Sequence, residues 1–319
     1  MRAVIYDRYG GPEVLRPAEV PVPDPGPGEV LVEVVATSVN LSDWEALVGR
    51  PLYARIGGLR RPRHPVLGSD IAGWVTTIGD HVDGFAIGDE VYGDNLMPKG
   101  GFAEYAAVPS SALAPKPPGL TFLQAAALPQ SAAIADQGVG DAAAGSRVLI
   151  NGAGGGSGAL AIQVAKRAGA RVTGVDSGAK LELMRSLGAE EVLDYRVGDV
   201  ADGARRFDLV LDLVAHRSVL AVRRLLAPGG VYRCVGGSMG AIVGAAVLGP
   251  VVGRLTGRRI GMLGVREGPD HFRNVAELCA SGDIEVRIDR TYGLDEVPQA
   301  LARVGEGQSL GKVVVAVAA

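Results

Sequence analysis

Cysteine and histidine are scarce in this 319-residue chain, and that scarcity narrows its chemistry. The two cysteines, Cys234 and Cys279, lie far apart in apolar surroundings. They supply neither a disulfide framework nor a set of soft metal ligands, and each reads as a core thiol. No charge of one sign dominates: 32 Lys and Arg against 35 Asp and Glu leave a net −3. That balance offers no general field for nucleic acid or acidic membranes. Arg60-Arg61-Pro62-Arg63-His64 is a short basic cluster read as a solvated loop. Long apolar runs are also missing. Residues 241–252 are rich in Ala, Val and Gly, but Pro250 interrupts them and Arg254 follows. The stretch therefore falls short of the ~18 apolar residues of a spanning helix. A buried or subunit-facing helix is expected there, and membrane contact is not. The opening segment Arg2-Ala-Val-Ile-Tyr6 is strand-like and lacks the regions of a signal peptide, so a cytoplasmic protein is expected. Neither internal repeats nor low-complexity linkers occur.

Glycine, by contrast, is abundant at 47 residues, and one glycine run is placed informatively. Residues 148–150 form a short apolar run that reads as a buried strand. Residues 152–158 make a turn almost without side chains, and 159–167 continue with apolar residues at helical spacing. Strand, glycine turn and helix N-terminus form the dinucleotide-binding arrangement. There Gly154, Gly155, Gly156, Ser157 and Gly158 let backbone N–H groups approach a pyrophosphate at the positive end of a helix. Asp176 follows a second apolar strand, 171–175, and lies 18 residues after Gly158, close to the spacing of a ribose-binding acid.

Three textures follow one another along the chain. Up to about residue 118, short strand-like runs (29–35, 72–78, 104–108) are broken by Gly and Pro, which suggests a compact β-rich unit. From about residue 121, strands at 148–150, 171–175, 191–193, 209–213 and 231–235 alternate with helical segments such as 179–187 and 217–226. This alternation argues for a doubly wound α/β fold with a parallel sheet. The tail adds strands at 283–289 and 312–317 around a helix at 294–305. The expected division is 1–120, 121–262 and 263–319, since a chain of this length exceeds the usual single core.

The segments Arg8-Tyr-Gly-Gly-Pro-Glu-Val-Leu15, Pro65-Val-Leu-Gly-Ser-Asp70, Gly88-Asp-Glu-Val-Tyr-Gly93, Gly101-Phe-Ala-Glu-Tyr105, Leu187-Gly-Ala189 and Gly311-Lys-Val-Val-Val315 carry a family pattern. In this order they resemble the medium-chain dehydrogenase/reductases, and more narrowly the zinc-free quinone oxidoreductase group. The resemblance implies a GroES-like catalytic domain, a central Rossmann-type NAD(P)-binding domain and a C-terminal return to the first. It also implies an active site in the cleft between them and assembly as a homo-oligomer, here expected to be a homodimer.

Zinc is the first question that the resemblance raises. Alcohol-oxidising relatives use a Cys–His–Cys site whose metal polarises the substrate oxygen. Here Asn40 stands where the first cysteine is expected, Ser69 where the histidine is expected, and Leu128-Pro-Gln-Ser131 covers the third position. Residues 93–101 carry no cysteine for a structural zinc. The expectation is an enzyme with no metal. Quinones and α,β-unsaturated carbonyls are already electrophilic, so they ask only for alignment, exclusion of water and a donor to the developing enolate. The expected activity is therefore NAD(P)H-dependent hydride transfer to a quinone or enone. A zinc-free ketone or alcohol oxidoreductase is the alternative, as is a cofactor-binding regulatory protein without turnover.

The residues expected at the reaction centre are Asn40, at the emptied metal position, Tyr53, in a loop that brings a tyrosine near the nicotinamide in relatives, and Ser131. Gln130 and Ser131 add donors near the metal position, although Ser131 could equally cap a helix. His64, His81, His216 and His271 supply no clear acid. On the cofactor, Asp176 suits a free ribose 2′-OH and would repel a 2′-phosphate. Ser177, Lys180 and Tyr195 resemble the hydroxyl, cation and tyrosine that NADPH-using members present, which tips the expectation slightly to NADPH over NADH. Further contacts implied by the family are Ala215, Val235, Gly236, Gly237 and Ser238, with Leu263 and Val265 near the nicotinamide.

Overall fold

The computed structural model describes residues 1–56, 58–202 and 205–318. The chain divides into two compact units, Met1–Gln130 with Glu267–Ala319, and Ser131–Arg266. The first boundary lies later than the expected 120/121. Phe122 of the helix Phe122–Ala126 packs its ring against Trp74 of the strand Asp70–Ile78, with centroids 5.3 Å apart, which keeps that helix with the first unit. The second lies later than 262/263 because Leu263 donates its N–H to Cys234 O at 2.8 Å and Arg266 donates its own to Gln137 Oε1 at 2.9 Å.

The first unit is built on a seven-stranded sheet. Its path runs Ile288–Gly293, Lys312–Ala316, Glu29–Val39, Asp70–Ile78, Glu90–Asp94 and Leu113–Pro115, with Tyr105–Pro109 pairing Glu29–Val39 off that path. Valines dominate the core, among them Val30, Val32, Val34, Val313 and Val315, together with Leu67 and Ile71. β-Branched residues suit such a pleated, buried surface. The strand expected at 283–289 begins only at Ile288. Its partner starts at Lys312, which pairs with Ile288, so the preceding alternation at 284 and 286 has no strand to pair with. The helix Val297–Gly305 lies against the helix Leu41–Val48, and Trp44 takes the space where a Cβ on Gly305 would sit, 2.1 Å away.

In the second unit six strands are all parallel. Across the sheet they run Glu191–Asp194, Arg171–Asp176, Arg147–Asn151, Phe207–Asp212, Leu226–Cys234 and Arg259–Met262. The order is thus third, second, first, fourth, fifth, sixth, which puts the reversal of winding beside Arg147–Asn151. Ligands of doubly wound sheets bind at this point, outside the carboxyl ends of the strands. The sixth strand was not among those expected. It is preceded by a continuous helix made of Met239–Val243, a π-helical Gly244–Leu248 and Gly249–Thr256. Pro250 does not end this helix. It falls at the start of the last segment, directly after the π turn, where the ordinary backbone ladder is already interrupted. Residues 239–256 thereby reach 18 residues, long and apolar enough to cross a membrane by length and composition, and only 28% buried. This corrects the expectation of a shorter stretch and of the buried alternative, and leaves the subunit-facing alternative as it stood.

Candidate functional site

At the carboxyl end of the parallel sheet, Arg147–Asn151 runs into the glycine turn and then the helix Gly156–Arg167, with Gly155 as its N-cap. A Cβ on Gly158 would lie 2.3 Å from Gly152 O and 2.6 Å from Ala153 Cα, so only glycine lets the helix approach the strand this closely. Gly154 is crossed by another chain segment: a Cβ there would be 2.6 Å from Lys180 Cβ. Ser157 Oγ donates to Ser131 Oγ at 3.4 Å.

Asp176 ends the second strand of this sheet, and its carboxylate is fully engaged. Gly154 N–H donates to Oδ2 at 2.9 Å, Ser177 N–H donates to Oδ1 at 2.8 Å, and Lys180 Nζ lies 3.3 Å from Oδ1. Asp176, Ser177 and Lys180 are all buried. Lys180 is therefore the partner of Asp176 rather than a solvated helix residue, and the pair carries no net charge. Tyr195 follows the neighbouring strand and is exposed, with the Arg196 guanidinium 5.6 Å from its ring centre.

The loops after the fourth and fifth strands are tied to each other. Ala215 N–H donates to Gly236 O, Ser238 N–H donates to Ala215 O, both at 2.8 Å, and Ala215 bridges Gly237. Val235 N–H donates to Asp212 O, and Ser238 Oγ caps the next helix by accepting from Ala241 N–H. Leu263 and Val265 follow the sixth strand, both half-buried. Every dinucleotide-binding position named from the sequence thus lies at or just beyond the carboxyl end of this sheet. Asp212, which sequence reasoning missed, sits among them. It accepts from Asn151 Nδ2 at 2.7 Å and from Tyr232 Oη at 2.9 Å, and burial pushes its carboxyl above the ordinary range.

In the first unit a polar cluster forms where three adjacent strands meet end to end. Lys312–Ala316 and Asp70–Ile78 both run antiparallel to Glu29–Val39, so the end of the central strand meets the starts of its neighbours. Asn40, Asp70 and Lys312 are placed together there. Asn40 Nδ2 donates to Asp70 Oδ2 at 2.8 Å and to Ser69 Oγ at 3.2 Å, and Lys312 Nζ donates to Asn40 Oδ1 at 2.7 Å. Lys312 Nζ is also 3.2 Å from Asp70 Oδ2, and Ser38 Oγ donates to the same oxygen at 3.0 Å. All five side chains are buried. Both amide hydrogens of Asn40 are committed within the cluster.

Asp70 Oδ1 accepts the backbone N–H of Gln130 at 3.0 Å and so satisfies a donor in the first turn of the helix Pro129–Val139. Ser131 is the third residue of that helix and not its cap. Gln130 Oε1 accepts from Ser42 Oγ at 3.1 Å, and its Nε2 has no partner among the described residues. Asp43 braces the turn by accepting from Asn40 N–H at 3.0 Å, from Gly68 N–H and from Lys99 Nζ at 3.0 Å. Tyr53, in the 3-10 turn Leu52–Arg55, donates to the Glu45 carboxylate at 2.9 Å. Burial raises the Glu45 carboxyl, and the Tyr53 hydrogen bond offsets part of that rise. Lys312, Glu45, Gln130 Nε2 and Arg196 are the functional candidates added by the structure. Of these, Gln130 is named from the sequence as a donor and Lys312 lies within a quoted motif, whereas Glu45 and Arg196 are not named there.

Among the described residues no group of three His, Cys, Asp or Glu is arranged to hold a metal. The groups at the metal position of relatives are the Asn40 amide, the Ser69 hydroxyl, the Asp70 carboxylate and the Lys312 ammonium, with neither thiolate nor imidazole among them.

Family comparison agrees with this architecture. Residues 26–118 match the model described as alcohol dehydrogenase GroES-like domain, and residues 187–315 match the one described as zinc-binding dehydrogenase. A chloroplastic quinone oxidoreductase of Triphysaria versicolor is 31% identical over 99% of this chain and 98% of its own. A chloroplastic NADPH-dependent alkenal/one oxidoreductase of Arabidopsis thaliana is 36% identical over 67% of this chain and 57% of its own. The solved structure of a quinone oxidoreductase from Coxiella burnetii superposes with a TM-score of 0.90 at 28% identity, covering 100% of this chain and 99% of the other. With the glycine turn, the parallel sheet and the GroES-like unit in place, the chain belongs to the quinone oxidoreductase group of the medium-chain dehydrogenase/reductase superfamily and is an oxidoreductase.

Proposed function

We propose that this oxidoreductase uses NAD(P)H, with NADPH preferred, to reduce a quinone or the conjugated double bond of an α,β-unsaturated carbonyl, and that it works without zinc. The observation carrying this reading is Lys312 Nζ, 2.7 Å from Asn40 Oδ1 at the position that a metal ligand takes in zinc-using relatives. A divalent cation would meet a fixed positive charge there and neither thiolate nor imidazole. Without a Lewis acid, a conjugated electrophile is the substrate class that needs least activation.

When bound, the nicotinamide supplies the hydride. The glycine turn, the loops after the strands and the helix N-terminus at Gly156 would hold the dinucleotide. Ser42 anchors the Gln130 carbonyl, which leaves the two Nε2 hydrogens to bind the oxygen on which charge develops. The Lys312–Asp70–Asn40 cluster keeps the start of this helix rigid. Tyr53 is the proton source. Glu45 accepts the Tyr53 hydrogen bond and so fixes the phenol in place. The preference for NADPH is supported by the pairing of Asp176 with Lys180, which neutralises the acid that would repel a 2′-phosphate. Ser177, Tyr195 and Arg196 are the groups around it. We further propose a cytoplasmic homodimer, which sedimentation velocity would test.

Cofactor oxidation with a panel of a small quinone, a linear enone and a saturated ketone tests the central reading. Turnover of the quinone or enone is expected. Turnover of the saturated ketone alone would replace it with a ketone reductase, and tight cofactor binding with no turnover would replace it with a regulatory protein.

A further inference from the structure

We propose that Arg60, Arg61 and Arg63, with Arg50, bind the phosphate groups of a nucleotide-borne acyl thioester, a substrate of the coenzyme A type whose acyl chain is α,β-unsaturated. Between Glu45 and Asp70 the chain has no acidic residue and five arginines, in a protein whose net charge is −3. One of the five serves the loop itself. Arg55 Nε donates to Gly49 O at 2.9 Å, its Nη1 donates to Leu59 O at 3.3 Å, and its guanidinium lies 4.6 Å from the centre of the Tyr9 ring. Tyr9 Oη in turn donates to Gly58 O. A Cβ on Gly58 would lie 2.0 Å from Arg61 O, so the chain doubles back tightly and carries Leu59 and Arg60 at the tip. Residues 58–61 are thus braced from within. The other four arginines are exposed and have no carboxylate partner among the described residues.

Charge and position together select the occupant. Like charges held on one braced loop repel one another until an anion sits among them. Burial, with Arg63 and Lys99 nearby, lowers the His64 imidazole, which agrees with a positive potential at this end of the loop. A single carboxylate would answer one guanidinium. A pyrophosphate with a further phosphate monoester answers the set, and phosphate oxygens take the planar guanidinium fork in two parallel hydrogen bonds. The same loop leads to the reaction centre. Gly58 N–H donates to Arg55 O at 2.9 Å, which ties the arginine segment to the 3-10 turn Leu52–Arg55 that holds Tyr53. Leu52, Ile56 and Leu59, 73%, 81% and 78% exposed, accompany this path and offer an apolar edge to the arm of a thioester. The inference rests on the reading of Tyr53 given above for its chemistry. Hydride from the nicotinamide goes to the β carbon and a proton to the α carbon, and the thioester stays intact. The cation site itself does not depend on that reading.

Calorimetric titration of the full chain with coenzyme A, in saturating oxidised cofactor so that the dinucleotide site is filled, tests the site without turnover. Saturable binding is expected, weakened by salt and reduced at least tenfold in Arg60→Ser with Arg61→Ser and Arg63→Ser. If that variant fails to fold, Arg60→Ser at the exposed tip decides in its place. Steady-state rates with reduced cofactor then compare crotonyl-coenzyme A with crotonyl-N-acetylcysteamine, which has the same reacting atoms and no phosphate. The parent should favour the first by tenfold or more in kcat/KM, chiefly through KM, and the triple variant should lose that preference. The proposal is overturned if coenzyme A binds only when the dinucleotide site is empty, or if the folded variants bind it as the parent does. Turnover of both thioesters with equal kcat/KM overturns it as well. Binding that the arginines control, without turnover of any enone, supports the cation site and overturns the functional reading instead.

Discussion

Lys312 Nζ stands 2.7 Å from Asn40 Oδ1 and 3.2 Å from Asp70 Oδ2, so one ammonium from the last strand fixes both an amide and a carboxylate. Neither charged partner touches water appreciably. Lys312→Met leaves the Asp70 charge buried and alone, which costs about 3–5 kcal/mol. Urea unfolding should show a loss of that size for Lys312→Met, and a smaller one when Asp70→Asn is added. Equal losses in the two variants would show that the charge pair is not what the site depends on.

Gly158→Ala and Gly155→Ala should separate sharply. The first places a Cβ 2.3 Å from Gly152 O, whereas the nearest atom to the second is 3.6 Å away. Gly158→Ala should lower stability while Gly155→Ala unfolds like the parent, yet both should weaken dinucleotide binding by roughly tenfold or more, about 1.4 kcal/mol per tenfold, since a Cβ on Gly155 enters the space proposed for the pyrophosphate. Urea unfolding reads the first difference and fluorescence titration with reduced cofactor the second.

Gln130→Leu removes the donor assigned to the developing negative charge. Loss of one such donor typically lowers kcat by about 10²–10³. The expected result is a fall in kcat with KM for the enone nearly unchanged. A rise in KM alone would make Gln130 a ground-state binding residue.

At the ribose end, Lys180→Met leaves Asp176 without its counter-charge. NADPH should then bind roughly tenfold more weakly relative to NADH, a change of about 1.4 kcal/mol. Arg196→Ala should move the ratio in the same direction without touching Asp176. Steady-state KM values for the two reduced cofactors measure each, and an unchanged ratio in both variants would remove these cations from the recognition of a 2′-phosphate.

Burial raises the Glu45 carboxyl above its ordinary value, so the folded chain holds that proton more tightly than the unfolded one. Stability contributed by this group is present at low pH and is lost as pH rises from the ordinary carboxyl range through the raised value. Glu45→Gln keeps the shape and removes the titration. Asp94 and Asp212 are also raised by burial and act with the same sign in both proteins. The variant should therefore gain on the parent in urea midpoint as pH climbs through that window, and parallel curves would assign the slope to the other two acids. Tyr53→Phe, which removes the hydrogen bond lowering Glu45, should move the window to higher pH.

The dinucleotide end was legible in the sequence because its signals are local. A strand, a glycine turn and a helix follow one another within residues 147–167, and each declares its own periodicity. The absence of soft ligands at residues 40 and 69 could likewise be read from residue type alone. What fills their place could not. Lys312 reaches Asn40 across a sequence separation of 272, through a register set jointly by three strands, and nothing beside Lys312 in the chain announces it. Glu45 was hidden for another reason. On the sequence it is one polar residue of an amphipathic helix, and only the turn of the chain that returns Tyr53 to it makes the pair. The helix at 239–256 was underestimated because Pro250 reads as a breaker, and a π turn absorbs it.

The three strands that build the polar cluster do not leave the ribosome together. Glu29–Val39 and Asp70–Ile78 are made early, and residues 131–266 must be completed as a separate unit before Lys312–Ala316 follows. Until then the Asp70 carboxylate has no ammonium and the central strand has one open edge. A nascent chain must hold this half-built sheet, with its unpaired edge facing solvent, while an entire domain folds. Closure of the first unit thus waits on the completion of residues 131–266, and removing the strand Lys312–Ala316 would remove the polar cluster while sparing the nucleotide fold.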